Sequence, residues 1–132
     1  MQKRSVKKRI LVVEDELSLL TAIETMLEAS GFEVIIASHA EEATAKIFLY
    51  DDRKPDLIWL DINLPHLNGL DFLQKIRDDE KFKNTPVMIV TNYGDAVTRS
   101  RAKKLGIQAF FVKADHALGD IVDRARELTK HL

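Results

Sequence analysis

The sequence predicts an α/β protein of the doubly wound class, in which helices cover both faces of a parallel five-stranded sheet. Short, almost wholly apolar runs alternate with longer stretches in which apolar residues recur at helical spacing. Five such strand–helix units follow one another with short connections. Strands that are apolar on both faces are typical of parallel sheets, because helices then shield both faces from water.

Changes in this pattern set the expected limits of the elements. Gly31 and Gly106 follow the first and fourth helices, and glycine often ends a helix. Ser38 and Glu41 have the spacing of a capping box, which predicts that the second helix begins near His39. We expect strands at residues 9–14, 32–37, 57–60, 87–90 and 109–112. We expect helices at residues 16–30, from 39 to the charged stretch 51–54, from 69 to the charged stretch 77–81, at 95–105 and at 118–128.

The composition of the chain excludes several classes of function. Its 132 residues, 45% of them hydrophobic, suit one domain with a buried core. With 20 basic and 21 acidic residues, bulk charge gives no support for direct nucleic-acid binding. Without cysteine, the chain has no disulfide, thiolate zinc site or thiol nucleophile. Residues 1–8 are expected to form a basic tail; no long apolar run follows, so we expect a cytoplasmic protein with no membrane span.

Polar side chains stand at the carboxyl ends of four predicted strands. Glu14 and Asp15 follow the first strand, Asp61 the third, Thr91 the fourth and Lys113 the fifth. In an open α/β sheet this edge is where ligands bind, and the first and third strands can flank the switch point. Three carboxylates in one place repel one another and need a cation. Their oxygen ligands suit a hard divalent ion such as Mg²⁺.

The same edge suits phosphoryl transfer to Asp61. The hydroxyl of Thr91 can donate a hydrogen bond to a phosphoryl group, and the ammonium of Lys113 can offset its charge. A carboxylate can act as the nucleophile and become an aspartyl phosphate. Each residue taken singly has an ordinary role, since a strand-end Asp is usually a cap and a strand-end Lys a surface charge. The prediction depends on their joint placement on one edge.

At these residues the sequence resembles the receiver domain of bacterial two-component response regulators, including single-domain chemotaxis-type regulators. The resemblance runs from about Lys8 to Leu128, and it identifies residues 9–132 as a receiver domain without an output domain. The matching features are the acidic pair Glu14 and Asp15, the phosphoacceptor loop from Asp61 to Gly69, the switch hydroxyl of Thr91, the aromatic Phe110 and Lys113.

The resemblance implies a flavodoxin-like (βα)5 fold with strand order 2-1-3-4-5. It implies that a sensor histidine kinase or a histidine phosphotransfer protein phosphorylates Asp61. It also assigns Mg²⁺ to Asp15, Asp61 and the main-chain carbonyl of Asn63, with Glu14 acting through water. The protein would then be a phosphoacceptor that loses its phosphoryl group slowly, rather than an enzyme with a separate substrate.

The resemblance also implies how the signal would leave the site. Thr91 would move toward the phosphoryl group, and Phe110 would turn inward behind it. The face made by the fourth helix, the fifth strand and the fifth helix would then change its affinity for a downstream protein, as a population shift.

Two positions depart from the family pattern. Ala114 follows Lys113 where proline is usual, often after a cis bond, and a cis non-proline bond costs about 2.5–4 kcal/mol. The loop from Lys113 to Asp115 is therefore expected to be either trans and repositioned, or strained. Asn92 follows Thr91 where a small residue is usual, and we expect it to narrow access to the phosphoryl group and to alter its lifetime.

Two other functions stay open at this point. One is an adaptor that keeps the receiver fold and binds its partners without phosphorylation, which the unusual Ala114 favours. The other is a small phosphatase with an aspartate nucleophile. Such enzymes carry a second acid two residues after the nucleophile, where this chain has Asn63.

Overall fold

A computed structural model describes residues 7–49, 54–64 and 68–130. Most of the expected basic tail at residues 1–8 lies outside this part of the chain. So do residues 50–53, where the second helix was expected to end, and residues 65–67 of the expected phosphoacceptor loop.

The described residues form five parallel strands and five helices that alternate along the chain. The strands are β1 (Arg9–Val13), β2 (Glu33–Ala37), β3 (Leu57–Leu60), β4 (Val87–Thr91) and β5 (Ala109–Val112). The helices are α1 (Leu17–Ala29), α2 (Ala40–Leu49), α3 (Gly69–Asp78), α4 (Ala96–Lys104) and α5 (Leu118–Thr129). The strands lie in the order β2-β1-β3-β4-β5. The expected flavodoxin-like topology is therefore confirmed. None of the described helices is both long and apolar enough to cross a membrane.

Helices bury both faces of the sheet, because successive strand residues point to opposite sides. In β1, Leu11 and Val13 belong to the buried cluster that includes residues of α2, α3 and α4, whereas Ile10 and Val12 belong to the cluster that includes residues of α1 and α5. All four of these side chains are fully buried. The alternating contacts explain why the strands are apolar throughout rather than at every second position.

The helix α2 begins at Ala40, next to His39 as expected, but its capping pair differs from the sequence-based prediction. Glu42, rather than Glu41, reaches back, and its carboxylate accepts a hydrogen bond of 2.5 Å from the backbone N–H of Ser38. The cap is the imidazole of His39, whose Nδ1 accepts from the N–H of Glu42 at 3.1 Å. The box is therefore shifted by one residue, and the helix begins at Ala40. The expected pairing of Ser38 with Glu41 was wrong because a histidine nitrogen can serve as the capping acceptor in place of a serine hydroxyl.

Arg77 fastens the end of α4 to α3. Its guanidinium donates to the carbonyl oxygens of Leu105 at 2.6 Å, Gly106 at 3.0 Å and Phe82 at 3.2 Å. Two of these carbonyls lie just beyond the last turn of α4, where backbone acceptors have no partner within the helix. Burial lowers the pKa of Arg77, but the group stays charged.

We expect Arg77→Met to lower the free energy of unfolding by about 2 kcal/mol, since it removes three charge-assisted hydrogen bonds and keeps the apolar stem. Urea denaturation measures this change. The matched control is Arg124→Met, which removes an exposed pair with Glu127 at 2.9 Å and should cost less than about 1 kcal/mol. Equal losses in the two variants would contradict the role assigned to Arg77.

Candidate functional site

The register of the sheet brings three acidic side chains together. β1 and β3 are neighbours, with Val13 opposite Leu60, so Glu14 and Asp61 follow paired positions. The backbone N–H of Asp61 donates to the carbonyl of Val13 at 2.9 Å, which continues the pairing by one residue. Glu14, Asp15 and Asp61 each place a carboxylate oxygen within 4.8 Å of the others. Glu14 and Asp61 are buried, whereas Asp15 is exposed.

Lys113 connects the end of β5 to these acids. Its Nζ donates to Glu14 Oε1 at 2.5 Å and to Asp61 Oδ2 at 2.9 Å. The side chains of Lys113, Glu14 and Asp61 are 13%, 1% and 3% exposed, so the network is shielded from water. A charged group held in this way interacts more strongly with its partners than it would at the surface.

Burial and pairing oppose each other in this network. Burial raises the pKa of Glu14, and the hydrogen bond from Lys113 offsets only part of that effect. Burial would lower the pKa of Lys113, but its bonds to Glu14 and Asp61 outweigh this and raise the pKa. Lys113 therefore remains an ammonium group, which is the form that can offset the charge of an anion.

The loop after Lys113 shows the effect of Ala114, which stands where the family usually has proline. No peptide bond in the described part of the chain is cis, so the bond to Ala114 is trans. Residues Lys113–Asp115 form a single 3₁₀ turn. Lys113 nevertheless reaches both Glu14 and Asp61, so alanine in place of proline does not withdraw the ammonium group from the site.

Asn63 joins Asp61 to Thr91. The backbone N–H of Asn63 donates to Asp61 Oδ1 at 2.9 Å, and its side-chain amide donates to the Thr91 hydroxyl at 2.8 Å. Thr91 is fully buried at the end of β4, whereas Asn63 and Asn92 are exposed. Sequence reasoning gave Asn63 only a carbonyl ligand and missed the bond to Thr91. The adjacency of β3 and β4 was the signal that could have suggested it.

Gly69 allows α3 to begin against the loop that carries Asp61. A Cβ on Gly69 would lie 2.5 Å from the Cα of Ile62 and 2.7 Å from the carbonyl oxygen of Asp61. Asn68 caps the helix by accepting from the N–H of Leu70 at 2.8 Å. A side chain at Gly69 would thus have to push the backbone that positions Asp61.

The site fits a hard divalent cation. Its candidate ligands are carboxylate oxygens, and the exposed Asp15 leaves it open on one side. Mg²⁺ prefers one or two carboxylates together with water and phosphate oxygens. A phosphoryl group at Asp61 would then meet the cation, the ammonium of Lys113 and the nearby hydroxyl of Thr91. This combination suits the charge that phosphoryl transfer places on oxygen.

Comparison with known proteins matches residues 10–125 to the family model described as the response regulator receiver domain. The chemotaxis protein CheY1 of Helicobacter pylori is 34% identical over 106 residues, which is 80% of this chain and 84% of that protein. A probable transcriptional regulator, ycf27, of Cyanophora paradoxa is 36% identical over 107 residues. The match covers 81% of this chain and only 42% of ycf27. The chain thus spans less than half the length of that curated relative.

Solved structures agree with the sequence comparison. The phosphorylated cyanobacterial phytochrome response regulator RcpA superposes with a TM-score of 0.83 at 25% identity. The alignment covers 96% of both chains.

We expect Gly69→Ala to destabilise the protein by about 1–3 kcal/mol, because the new methyl group meets backbone atoms that cannot easily move. It should also weaken Mg²⁺ binding, since those atoms belong to Asp61 and Ile62. Urea denaturation and magnesium titration measure the two effects. The control is Gly119→Ala in α5, where the nearest atom, Met26 Cε, is 3.8 Å away. The control should be neutral or more stable by about 0.5–1 kcal/mol. A similar response to both substitutions would contradict the close approach at Gly69.

We expect Lys113→Met to lower stability in EDTA by about 3 kcal/mol, because two buried carboxylates lose their partner. The same loss leaves the acidic site more negative, so Mg²⁺ should bind more tightly and restore part of the stability. Thermal denaturation with EDTA and with Mg²⁺ tests both effects. Lys83→Met removes an exposed pair with Glu80 at 3.0 Å and should change neither quantity appreciably. A loss in Lys113→Met that Mg²⁺ leaves unchanged would contradict this account.

Proposed function

The chain belongs to the response regulator receiver domain family, and we propose that it is a signalling switch that accepts a phosphoryl group on Asp61. One observation carries the proposal. Lys113 holds the carboxylates of Glu14 and Asp61 at one sheet edge, close to Asp15 and to the pair formed by Asn63 and Thr91. Acids, an ammonium and a hydroxyl converge there in the arrangement that aspartate phosphorylation requires.

The proposed donor is a phosphohistidine on a sensor histidine kinase or a histidine phosphotransfer protein. A carboxylate oxygen of Asp61 attacks phosphorus, and the phosphorus–nitrogen bond to the donor breaks. The donor reacts with its other ring nitrogen protonated, so the electron pair of that bond returns to the imidazole nitrogen and the ring leaves as neutral imidazole. Lys113 stays close to the new acyl phosphate and offsets its charge, while the surrounding backbone holds Asp61 in position.

Asp15, Asp61 and the main-chain carbonyl of Asn63 are the proposed ligands of Mg²⁺, with Glu14 acting through water. When bound, Mg²⁺ neutralises charge on the phosphoryl oxygens. The hydrogen bond from the N–H of Asn63 to Asp61 fixes the turn that would direct the Asn63 carbonyl into the site. Glu14 is occupied by Lys113 and by the N–H of Glu16 at 3.0 Å, which suits an indirect role.

The proposed response begins at Thr91. Its hydroxyl is held by Asn63 in the described structure, so it would have to leave that amide to contact the phosphoryl group. Movement of Thr91 would make room for Phe110 on the neighbouring strand β5. The face formed by α4, β5 and α5 would then bind a downstream protein with altered affinity. The relatives include a chemotaxis protein and a probable transcriptional regulator, which differ in the process that they control.

We expect incubation with Mg²⁺ and acetyl phosphate to add one phosphoryl group, and Asp61→Asn to abolish the addition. Intact-mass spectrometry measures the product. Fluoroberyllate should also change the fluorescence of Trp59, the one tryptophan of the sequence. Trp59 is 1% exposed and lines a cavity of about 80 Å³ together with Lys113, so it reports on that side chain.

The control is Asp71→Asn, which changes an exposed aspartate of α3 and should leave phosphorylation intact. Absence of a mass gain in the wild type, or a gain that survives Asp61→Asn, would reject the proposal. Binding of a partner that is unaffected by Asp61→Asn and Lys113→Ala would instead favour the phosphorylation-independent adaptor.

A further inference from the structure

The ring of Phe110 packs directly on the backbone of Gly94. A Cβ built on Gly94 would lie 2.6 Å from Cε1 and 2.7 Å from Cζ of the ring. These distances are far below ordinary van der Waals contact, so any larger residue would displace the ring. The close approach places Phe110 of β5 against the segment that leads from β4 into α4.

Arg99 covers the same ring from α4. Its guanidinium carbon lies 4.5 Å from the centre of the Phe110 ring, within cation–π range. Its Nε also donates to the carbonyl oxygen of Gly94 at 3.3 Å. One side chain therefore touches both the aromatic ring and the backbone on which that ring rests.

These contacts lie at the loosely packed end of α4. In the described part of the chain, Ala102 is the one α4 side chain that is buried, and Val97 is 80% exposed. The opposite end of α4 is fastened by Arg77 through the carbonyls of Leu105 and Gly106. Elements with few buried apolar contacts open most easily. The first turns of α4 are held by polar contacts, namely those of Arg99 and the cap of Asp95, whose carboxylate accepts from the N–H of Thr98 at 2.7 Å.

We propose that Arg99 is a positioning residue of the switch, which holds the Phe110 ring against Gly94 in the unphosphorylated protein. This inference rests on the proposed function. Phosphorylation at Asp61 has to break the contact of Arg99 with the ring before Phe110 and the first turns of α4 can rearrange. Arg99 thereby sets how much of the protein is in the active arrangement before any phosphoryl group arrives.

Loss of the contact between Arg99 and Phe110 should change the affinity for a phosphoryl mimic, because binding and the conformational equilibrium are linked. A ligand that favours the active arrangement binds more weakly when that arrangement is rare, in proportion to its population. An exposed cation–π contact is modest, so its loss should raise that population, and tighten fluoroberyllate binding, about two- to five-fold. Loss of a surface contact that does not bias the two arrangements would leave the affinity for fluoroberyllate unchanged.

The test is isothermal titration of fluoroberyllate at saturating Mg²⁺. Arg99→Gln, which keeps a polar stem and removes the charge, should bind about two- to five-fold more tightly than the wild type. Arg99→Lys restores a cation over the ring and should return toward the wild-type affinity. Gly94→Ala places a methyl group against the ring, displaces it and should also tighten binding. The matched control is Arg101→Gln, which removes the same charge from the same helix and a pair with Asp71 at 2.9 Å.

A double-mutant comparison separates positioning from general charge effects. With Phe110→Leu in the background, Arg99→Gln should have no further effect, because the ring that Arg99 holds is gone. Equal affinities of Arg99→Gln and Arg101→Gln, or an Arg99 effect that persists with Phe110→Leu, would overturn the inference while leaving phosphorylation at Asp61 intact. The proposed function, and this inference with it, would instead be rejected if the wild type failed to bind fluoroberyllate. The same holds if the wild type and Asp61→Asn bound it with equal affinity.

Discussion

The bridge from Lys113 to Glu14 and Asp61 is the interaction on which the site depends. Two carboxylates with almost no exposure cannot both remain charged without a cation, since burial without a partner is costly. Replacing a buried ion pair by well-packed apolar residues is often neutral or stabilising, so stability alone does not account for these three groups. Their presence is understandable if the same charges later engage a metal ion and a phosphoryl group.

The sheet order explains why this cation sits on a long side chain. β5 lies two strands from β3 and three from β1, and adjacent strands are about 4.8 Å apart. One side chain alone cannot cross strand axes that are roughly 10–14 Å apart. The long stem of Lys113 and the carboxylate side chains of Glu14 and Asp61 therefore approach one another from both sides. The topology and the choice of residue are thus parts of one constraint.

The sequence was most informative where one property is repeated over many residues. The alternation of strands and helices and the burial of both sheet faces followed from apolar runs and short connections, whereas the strand order followed from the family resemblance. Strand-end chemistry singled out Asp61 and Lys113. Contacts chosen among equivalent neighbours were not predictable. Glu41 and Glu42 could each close the cap of α2, and only the geometry of His39 selects Glu42. The bond from Asn63 to Thr91 likewise depends on a side-chain rotamer, which no periodicity encodes.

The two ends of α4 are held by contacts of different strength. At its end, Arg77 ties two carbonyls to α3 through a half-buried guanidinium. At its start, the exposed carboxylate of Asp95 caps the helix, and the exposed guanidinium of Arg99 rests on an aromatic ring and one carbonyl. The second arrangement is weaker, because its charge is hydrated and screened. Under the proposed function, a change at Thr91 would reach Phe110 on the next strand, and the start of α4 would then be the part that yields. The helix would pivot about Arg77 rather than detach.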